Sequence, residues 1–159
     1  MLDTYIVSFF GHRIVYDSGK VERYLEKIIY KLIDEKEYVN FLVGRNGDFD
    51  IIVASIIKRI KKEYKDDNSW LTLVLTSQTK EYIDNEENYH EYYDEIDIYP
   101  VVCDAYYKRK IQVRNEQMIS FSNLVVCYVE EKQGGAYKAM KYAEKSNKKV
   151  INIAEIKEE

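Results

Sequence analysis

Two periodicities alternate along the chain, and that alternation leaves few folds open to it. Short apolar runs rich in β-branched and aromatic residues stand at 4–10 (TYIVSFF), 39–43 (VNFLV), 70–75 (WLTLVL), 123–129 (NLVVCYV) and 149–153 (KVINI), and they read as buried strands. Between them the apolar spacing changes to three and four. Val21, Tyr24, Leu25, Ile28, Ile29, Leu32 and Ile33 paint one stripe on a helix over 18–35. Phe49, Ile52, Val53, Ile56, Ile57, Ile60 and Tyr64 repeat that spacing after the second strand, and 105–122 and 134–146 are also helical. Strands alternating with helices predict an α/β, Rossmann-like three-layer domain, with a mainly parallel sheet of about five strands and helices on both faces.

The segment 76–104 breaks the rhythm. Between Glu81 and Asp97 it holds eight acidic residues and four tyrosines but no lysine or arginine, which argues against a buried strand and for a short surface helix with a loop. Two roles fit it: a solvated excursion, or a lid that brings Tyr92, Tyr93, Asp94 or Glu95 over a ligand. Elsewhere there is no repeat or linker, so residues 1–159 are expected to form one domain.

Charge and composition restrict the partners. With 24 basic against 28 acidic side chains, the formal charge is −4, which disfavours a duplex-binding module, since these are markedly basic. The basic residues Lys58, Arg59, Lys61 and Lys62 then read as an ordinary solvated helix face rather than a nucleic-acid stripe. No apolar stretch approaches a membrane span, and the N-terminus has no basic segment ahead of its apolar run. Cys103, Cys127, His12 and His90 show no metal-ligand spacing, so the expectation is a cytoplasmic protein with reduced thiols and neither metal nor cofactor.

Ligands of open parallel sheets bind beyond the carboxyl ends of the strands, where loops lead into helices. Three such loops carry unusual residues: FGHR (Phe10, Gly11, His12, Arg13), GRNGD (Gly44 to Asp48) and EEKQGGAYKAM, in which Gly134 and Gly135 open a helix. Glycine at these junctions lets a ligand reach the backbone, and a helix start offers unpaired N–H groups to an anion. Arg13 and Arg45 would add charge-assisted bonds. Asp48 has two readings, as an N-cap that satisfies those N–H groups itself or as a group that accepts from a ribose or acts as an acid or base. In the helix at 105–122, Arg114 falls on the apolar stripe of Ile111, Met118 and Phe121, with Asn115 beside it. A charge turned inward must be paired or must face a ligand. Either a carboxylate such as Asp48 or Asp50 pairs with Arg114, or Arg114 contacts a nucleotide. In the last helix, Ala136, Ala139, Met140 and Ala143 form a small-residue stripe that allows close packing on the sheet.

The stretches FFGHR, GRNGDFD, YDEIDIYP, VRNEQM and QGGAYKAMKYA occur in an order and spacing that resembles a small bacterial and phage branch of the SLOG superfamily. These Rossmann-like nucleotide-binding domains are related to the DNA-processing protein DprA and to the LOG phosphoribohydrolases. The resemblance covers about residues 4–153. It implies a nucleotide or nucleotide-derived ligand at His12, Arg13, Gly44, Arg45, Gly47, Arg114, Asn115, Gly134 and Gly135, and Gly11 of the first loop joins them as a ligand-binding candidate. LOG-type catalysis is not implied. The LOG loop reads PGGxGTxxE, whereas this chain has Gln133 in place of the proline, Tyr137 and Lys138 in place of Gly-Thr, and Lys141 in place of the catalytic glutamate.

The leading expectation is therefore a protein that senses, carries or sequesters a nucleotide or a nucleotide-derived small molecule. An N-glycosidase or deoxyribosyltransferase-like enzyme is the alternative, with its carboxylate supplied by Asp48, Asp94 or Glu95. Single-stranded DNA binding, by analogy with DprA, is a third. The 16 tyrosines and 5 phenylalanines exceed what one core plainly needs, which, with the habit of association in the superfamily, keeps a homodimer open.

Overall fold

The computed structural model describes residues 3–100 and 106–157; Cys103 and the first residue of the expected helix at 105–122 lie outside them. The apolar runs pair into a six-stranded, all-parallel sheet formed by β1 (Thr4–Gly11), β2 (Tyr38–Val43), β3 (Ser69–Leu75), β4 (Glu95–Ile98), β5 (Leu124–Tyr128) and β6 (Lys149–Asn152). Their spatial order is β4-β3-β2-β1-β5-β6. The helices are α1 (Ser18–Glu35), α2 (Asp48–Glu63), α3 (Lys80–Asp84), α4 (Glu86–Tyr92), α5 (Tyr107–Phe121) and α6 (Gly135–Lys145), and a turn of 3-10 helix (Ile153–Glu155) follows β6.

The two faces of the sheet bury alternate residues of each strand. On β5, Leu124, Val126 and Tyr128 enter one core with the α1 and α2 stripes. Val125 and Cys127 enter the other, with Met118 and Ile119 of α5 and Ala139, Met140 and Ala143 of α6. Covering both faces is what makes parallel strands read as continuous apolar runs. Leu25, Ile29, Ile33, Phe49 and Ile57 are fully buried, each contributing about 1.5–3 kcal/mol by the area rule. Burial also pushes the Cys127 thiol up to about 12, so it is held as an inert thiol.

The segment 76–104 differs from both expectations. It supplies α3, α4 and a sixth strand, β4, which pairs with β3 from Thr72↔Glu95 to Leu75↔Ile98. It is no solvated loop, because Tyr82, Tyr89 and Tyr93 are buried in the α1/α2 core. Nor do Asp94 and Glu95 stand over the carboxyl edge as a lid would. Asp94 accepts from the Leu71 amide at 2.7 Å, so it and Glu95 stand where β3 and β4 begin, at the edge opposite the carboxyl ends. The basic face of α2 packs on this segment: the Lys58 ammonium donates to the Tyr92 carbonyl at 2.8 Å, and Lys61 lies 3.6 Å from the Asp94 carboxylate.

From β1 the chain steps outward through β2 and β3 to β4, then returns across the other face through α5 to place β5 on the free side of β1. A constant crossover hand requires that change of face. The connections leaving β1 and β5 diverge, and a crevice opens between them at the carboxyl edge.

Candidate functional site

That crevice is a cleft of about 690 Å³ whose walls come from the loops after β1, β2 and β5 and from the first half of α5. Three local devices shape it. Gly47 is the N-cap of α2, and a Cβ there would lie 2.5 Å from the Arg13 Cα, so glycine permits the β2–α2 turn to press on the β1–α1 loop. Asp48 fastens the contact: its amide donates to the Arg13 carbonyl at 2.8 Å and its carboxylate accepts from the Val15 amide at 3.2 Å. Across the cleft, His12 Nε2 accepts from the Glu130 amide at 2.8 Å and the Glu131 amide at 3.3 Å, which ties the β1–α1 loop to the β5–α6 loop. That geometry requires the neutral imidazole with its proton on Nδ1. The Tyr128 hydroxyl donates to the Glu130 carboxylate beside it.

Arg114 lies in the wall of the cleft, only 3% exposed. Its Nη1 donates to the Val74 carbonyl at 3.2 Å and its Nη2 to Asn115 Oδ1 at 2.8 Å, while Nε has no partner. Burial lowers the guanidinium pKa, and the Asp50 charge works against that loss. Among the described residues no carboxylate stands at ion-pair distance from Arg114, and Asp50 acts on it through its charge alone. Gly44 lies directly against it; a Cβ there would stand 3.0 Å from Nη2.

Asp50 also lines the cleft and accepts from the Asn46 amide at 2.8 Å. Burial raises its carboxyl pKa, against the lowering effects of that hydrogen bond and of Arg114. On the β5 side, Gly134 caps α6 with φ +92°, a left-handed conformation that favours glycine. Neither Gly134 nor Gly135 would bring a Cβ within 4 Å of another heavy atom, and α6 has no side-chain cap. The amides of its first turn therefore have no capping side chain, and the space beside both glycines is open, with Lys138 on the same wall.

Eight of the residues singled out from the sequence meet in this cleft: Gly11, His12, Arg13, Gly44, Arg114, Asn115, Gly134 and Gly135. Arg45, Gly47, Asp48 and Glu95 are not in its walls. Arg45 turns to the opposite side, 3.6 Å from the Glu81 carboxylate, 5.0 Å from the centre of the Tyr89 ring and 3.4 Å from the Tyr93 hydroxyl to which it donates. Asp48 is neither the helix cap nor a cleft group; it fastens the loop. Glu95 is exposed at the far edge of the sheet. Beside the exposed Glu130 and Glu131, the cleft holds one inward carboxylate, Asp50, and the test that singled out Arg114 also reaches it. Asp50 lies three residues before Val53 and seven before Ile57, on the buried stripe of α2. Among the described residues, no cluster of three or more His, Cys, Asp or Glu side chains could hold a metal ion, and no helix is long and apolar enough to cross a membrane.

The fold is similar to part of DNA processing protein A. The solved structure of that protein from Helicobacter pylori, known for its single-stranded DNA binding mode, matches with a TM-score of 0.59 at 15% identity, over 92% of this chain and 63% of its own. The DNA processing protein A of Streptococcus pneumoniae matches with a TM-score of 0.62 at 12% identity, over 92% of this chain and 49% of its own. This chain thus spans between half and two-thirds of the length of those proteins. No family model and no curated protein matches the sequence. At such identities the likeness establishes a shared Rossmann-like architecture, in agreement with the fold read from the sequence.

Proposed function

We propose that the cleft between β1 and β5 binds a nucleotide or a nucleotide-derived small molecule, and that the protein senses, carries or sequesters it. One observation carries this reading: Arg114 is buried in the cleft wall with Nε unsatisfied, and among the described residues no carboxylate stands at ion-pair distance from it. A charge removed from water must be compensated, and an anionic ligand entering the cleft would do so. The open α6 amides at Gly134 and Gly135 offer the same ligand a second anion contact. The test is to denature the purified protein, identify released small molecules by mass spectrometry, and titrate nucleotides into wild type and Arg114→Gln. The expected result is nucleotide binding that weakens about 10- to 100-fold in the variant, the worth of one charged hydrogen bond. Equal affinity in both proteins, or no binding by wild type, would overturn the reading.

A second reading rests on Asp50. A carboxyl group whose pKa burial raises, in the cleft proposed here to take the sugar, suits a general acid at a glycosidic bond. Release of free base from a nucleotide by wild type and not by Asp50→Asn, with binding retained in the variant, is its signature. Absence of release from every nucleotide tested removes it. Single-stranded DNA, the ligand of the Helicobacter pylori protein, would use the same phosphate and base chemistry, although a net charge of −4 opposes attraction to a polyanion.

A further inference from the structure

The floor and the rim of the cleft differ in chemistry. The floor is polar, made by Arg114, Asn115, Asp50 and Asn46, whereas the exposed rim sets aromatic and aliphatic side chains among charged ones such as Arg13, Lys108, Glu130 and Glu131. Ten large apolar side chains stand exposed among the described residues, and four of them line this one cleft: Ile14 and Tyr16 from the loop after β1, and Tyr106 and Tyr107 at the start of α5. Tyr16 is 86% exposed, Tyr106 73% and Tyr107 62%. None of the three rings pairs with another ring, although such pairs recur through the rest of the molecule. Scattered exposed rings need no explanation, but rings gathered from two separate elements at the mouth of a polar cleft do.

We infer that these rings form a stacking platform for a nucleobase, which orients the ligand with its anionic part toward Arg114 and its base at the mouth. This rests on the reading that the cleft takes a nucleotide, and it adds which end of that nucleotide goes where. A base is flat, apolar on its faces and joined through a sugar to an anion, so it matches rim tyrosines above a floor that holds the Arg114 guanidinium. The cleft, at about 690 Å³, has the size of a small-ligand site and leaves room for both ends. Lys108, beside Tyr107 in the same wall, places a cation where a sugar–phosphate chain would leave the mouth. The stacked base has two sources with the same chemistry, a free nucleotide or one unit of a single strand.

The test compares the four nucleoside 5′-monophosphates with ribose 5-phosphate, which lacks the base, and with a short oligothymidylate. Titrations use wild type, Tyr16→Ala, Tyr107→Ala and Tyr107→Phe, all changes at exposed positions outside the cores. The expected result is that at least one monophosphate binds about tenfold or more tightly than ribose 5-phosphate, as a base–aromatic stack provides. That advantage should shrink in both alanine variants and persist in Tyr107→Phe. Oligothymidylate binding that exceeds thymidine monophosphate binding, with the same tyrosine dependence, assigns the platform to a strand; the reverse order assigns it to a free nucleotide. Equal binding of monophosphate and ribose 5-phosphate, or an unchanged advantage in both alanine variants, overturns the platform while leaving the anion site intact. Binding of no probe by wild type overturns the nucleotide reading as well.

Discussion

Replacing Gly44 by alanine tests whether the position of Arg114 is set by the glycine beneath it. The added Cβ would stand 3.0 Å from Arg114 Nη2, 3.2 Å from Nη1 and 3.3 Å from Cζ. The guanidinium cannot retreat without loosening its bonds to the Val74 carbonyl and to Asn115 Oδ1. Overpacking of this kind costs about 1–3 kcal/mol. Among the described residues only Gly134 has a glycine's positive φ, so alanine at 44 meets no backbone strain. Its smaller unfolded-state entropy therefore stabilises the fold by about 0.4–1 kcal/mol. The two effects oppose each other in wild type, and a double-mutant cycle separates them. Urea unfolding of wild type, Gly44→Ala, Arg114→Ala and the double variant should yield a coupling of about 1–3 kcal/mol. In the Arg114→Ala background the alanine should become stabilising, because the crowding partner is gone. A coupling below about 0.5 kcal/mol, the limit for independent sites, would refute the claim that these residues form one unit.

Three further outcomes follow from the same geometry. Gly11→Ala should be destabilising at or above the upper end of the range of about 1–3 kcal/mol for overpacking, because its Cβ would lie 2.2 Å from Cγ of the fully buried Phe49; a midpoint within error of wild type in urea would contradict it. Asn152→Ala should cost about 1–3 kcal/mol, since Asn152 Oδ1 accepts from the buried Val129 amide at 3.0 Å and Nδ2 donates to the Val129 carbonyl at 3.0 Å; unchanged hydrogen-exchange protection at Val129 would count against it. Asp50 has a folded pKa raised above its ordinary 3.8, so the native state binds its proton more tightly than the unfolded chain. The stability gained from that proton is complete below the unfolded value and is lost as pH rises through the folded one. The unfolding free energy of wild type minus that of Asp50→Asn should therefore fall from acid to neutral pH, and a flat or rising difference would show that burial does not govern this group.

The layered architecture was legible because each strand is covered on both faces and each long helix has one apolar stripe, which are the two patterns that periodicity reads. The predicted span of α1, 18–35, coincides with the helix observed. Strand β4 was missed for a physical reason. It is an edge strand of four residues, Glu95–Ile98, as β6 is at the other edge, but it keeps two acidic residues where β6 has the apolar pair Val150 and Ile151. Its alternation Glu-Ile-Asp-Ile is the period-two signal in miniature, hidden by the acidic tyrosine-rich helices before it. Those tyrosines also account for part of the excess of rings, since Tyr82, Tyr89 and Tyr93 fill the core beneath α3 and α4 instead of waiting for a partner.

The candidate site divides along the same line between what local pattern records and what it does not. Glycines and a charge on an apolar stripe are local facts, so Gly44, Gly134 and Arg114 could be found without coordinates. The direction of a loop side chain is decided by the packing around it, so local pattern points Arg45 at the cleft although the rings of Tyr89 and Tyr93, more than forty residues away, hold it outside the cleft walls. Asp48 and Asp50 show how little separates the two cases. They are two residues apart, about 200° around a helix of 3.6 residues per turn. One therefore meets the β1–α1 loop while the other meets Arg114's cleft. Helical phase was enough to tell them apart, once the rule that an inward charge needs a partner or a ligand was applied to carboxylates as well as to arginine.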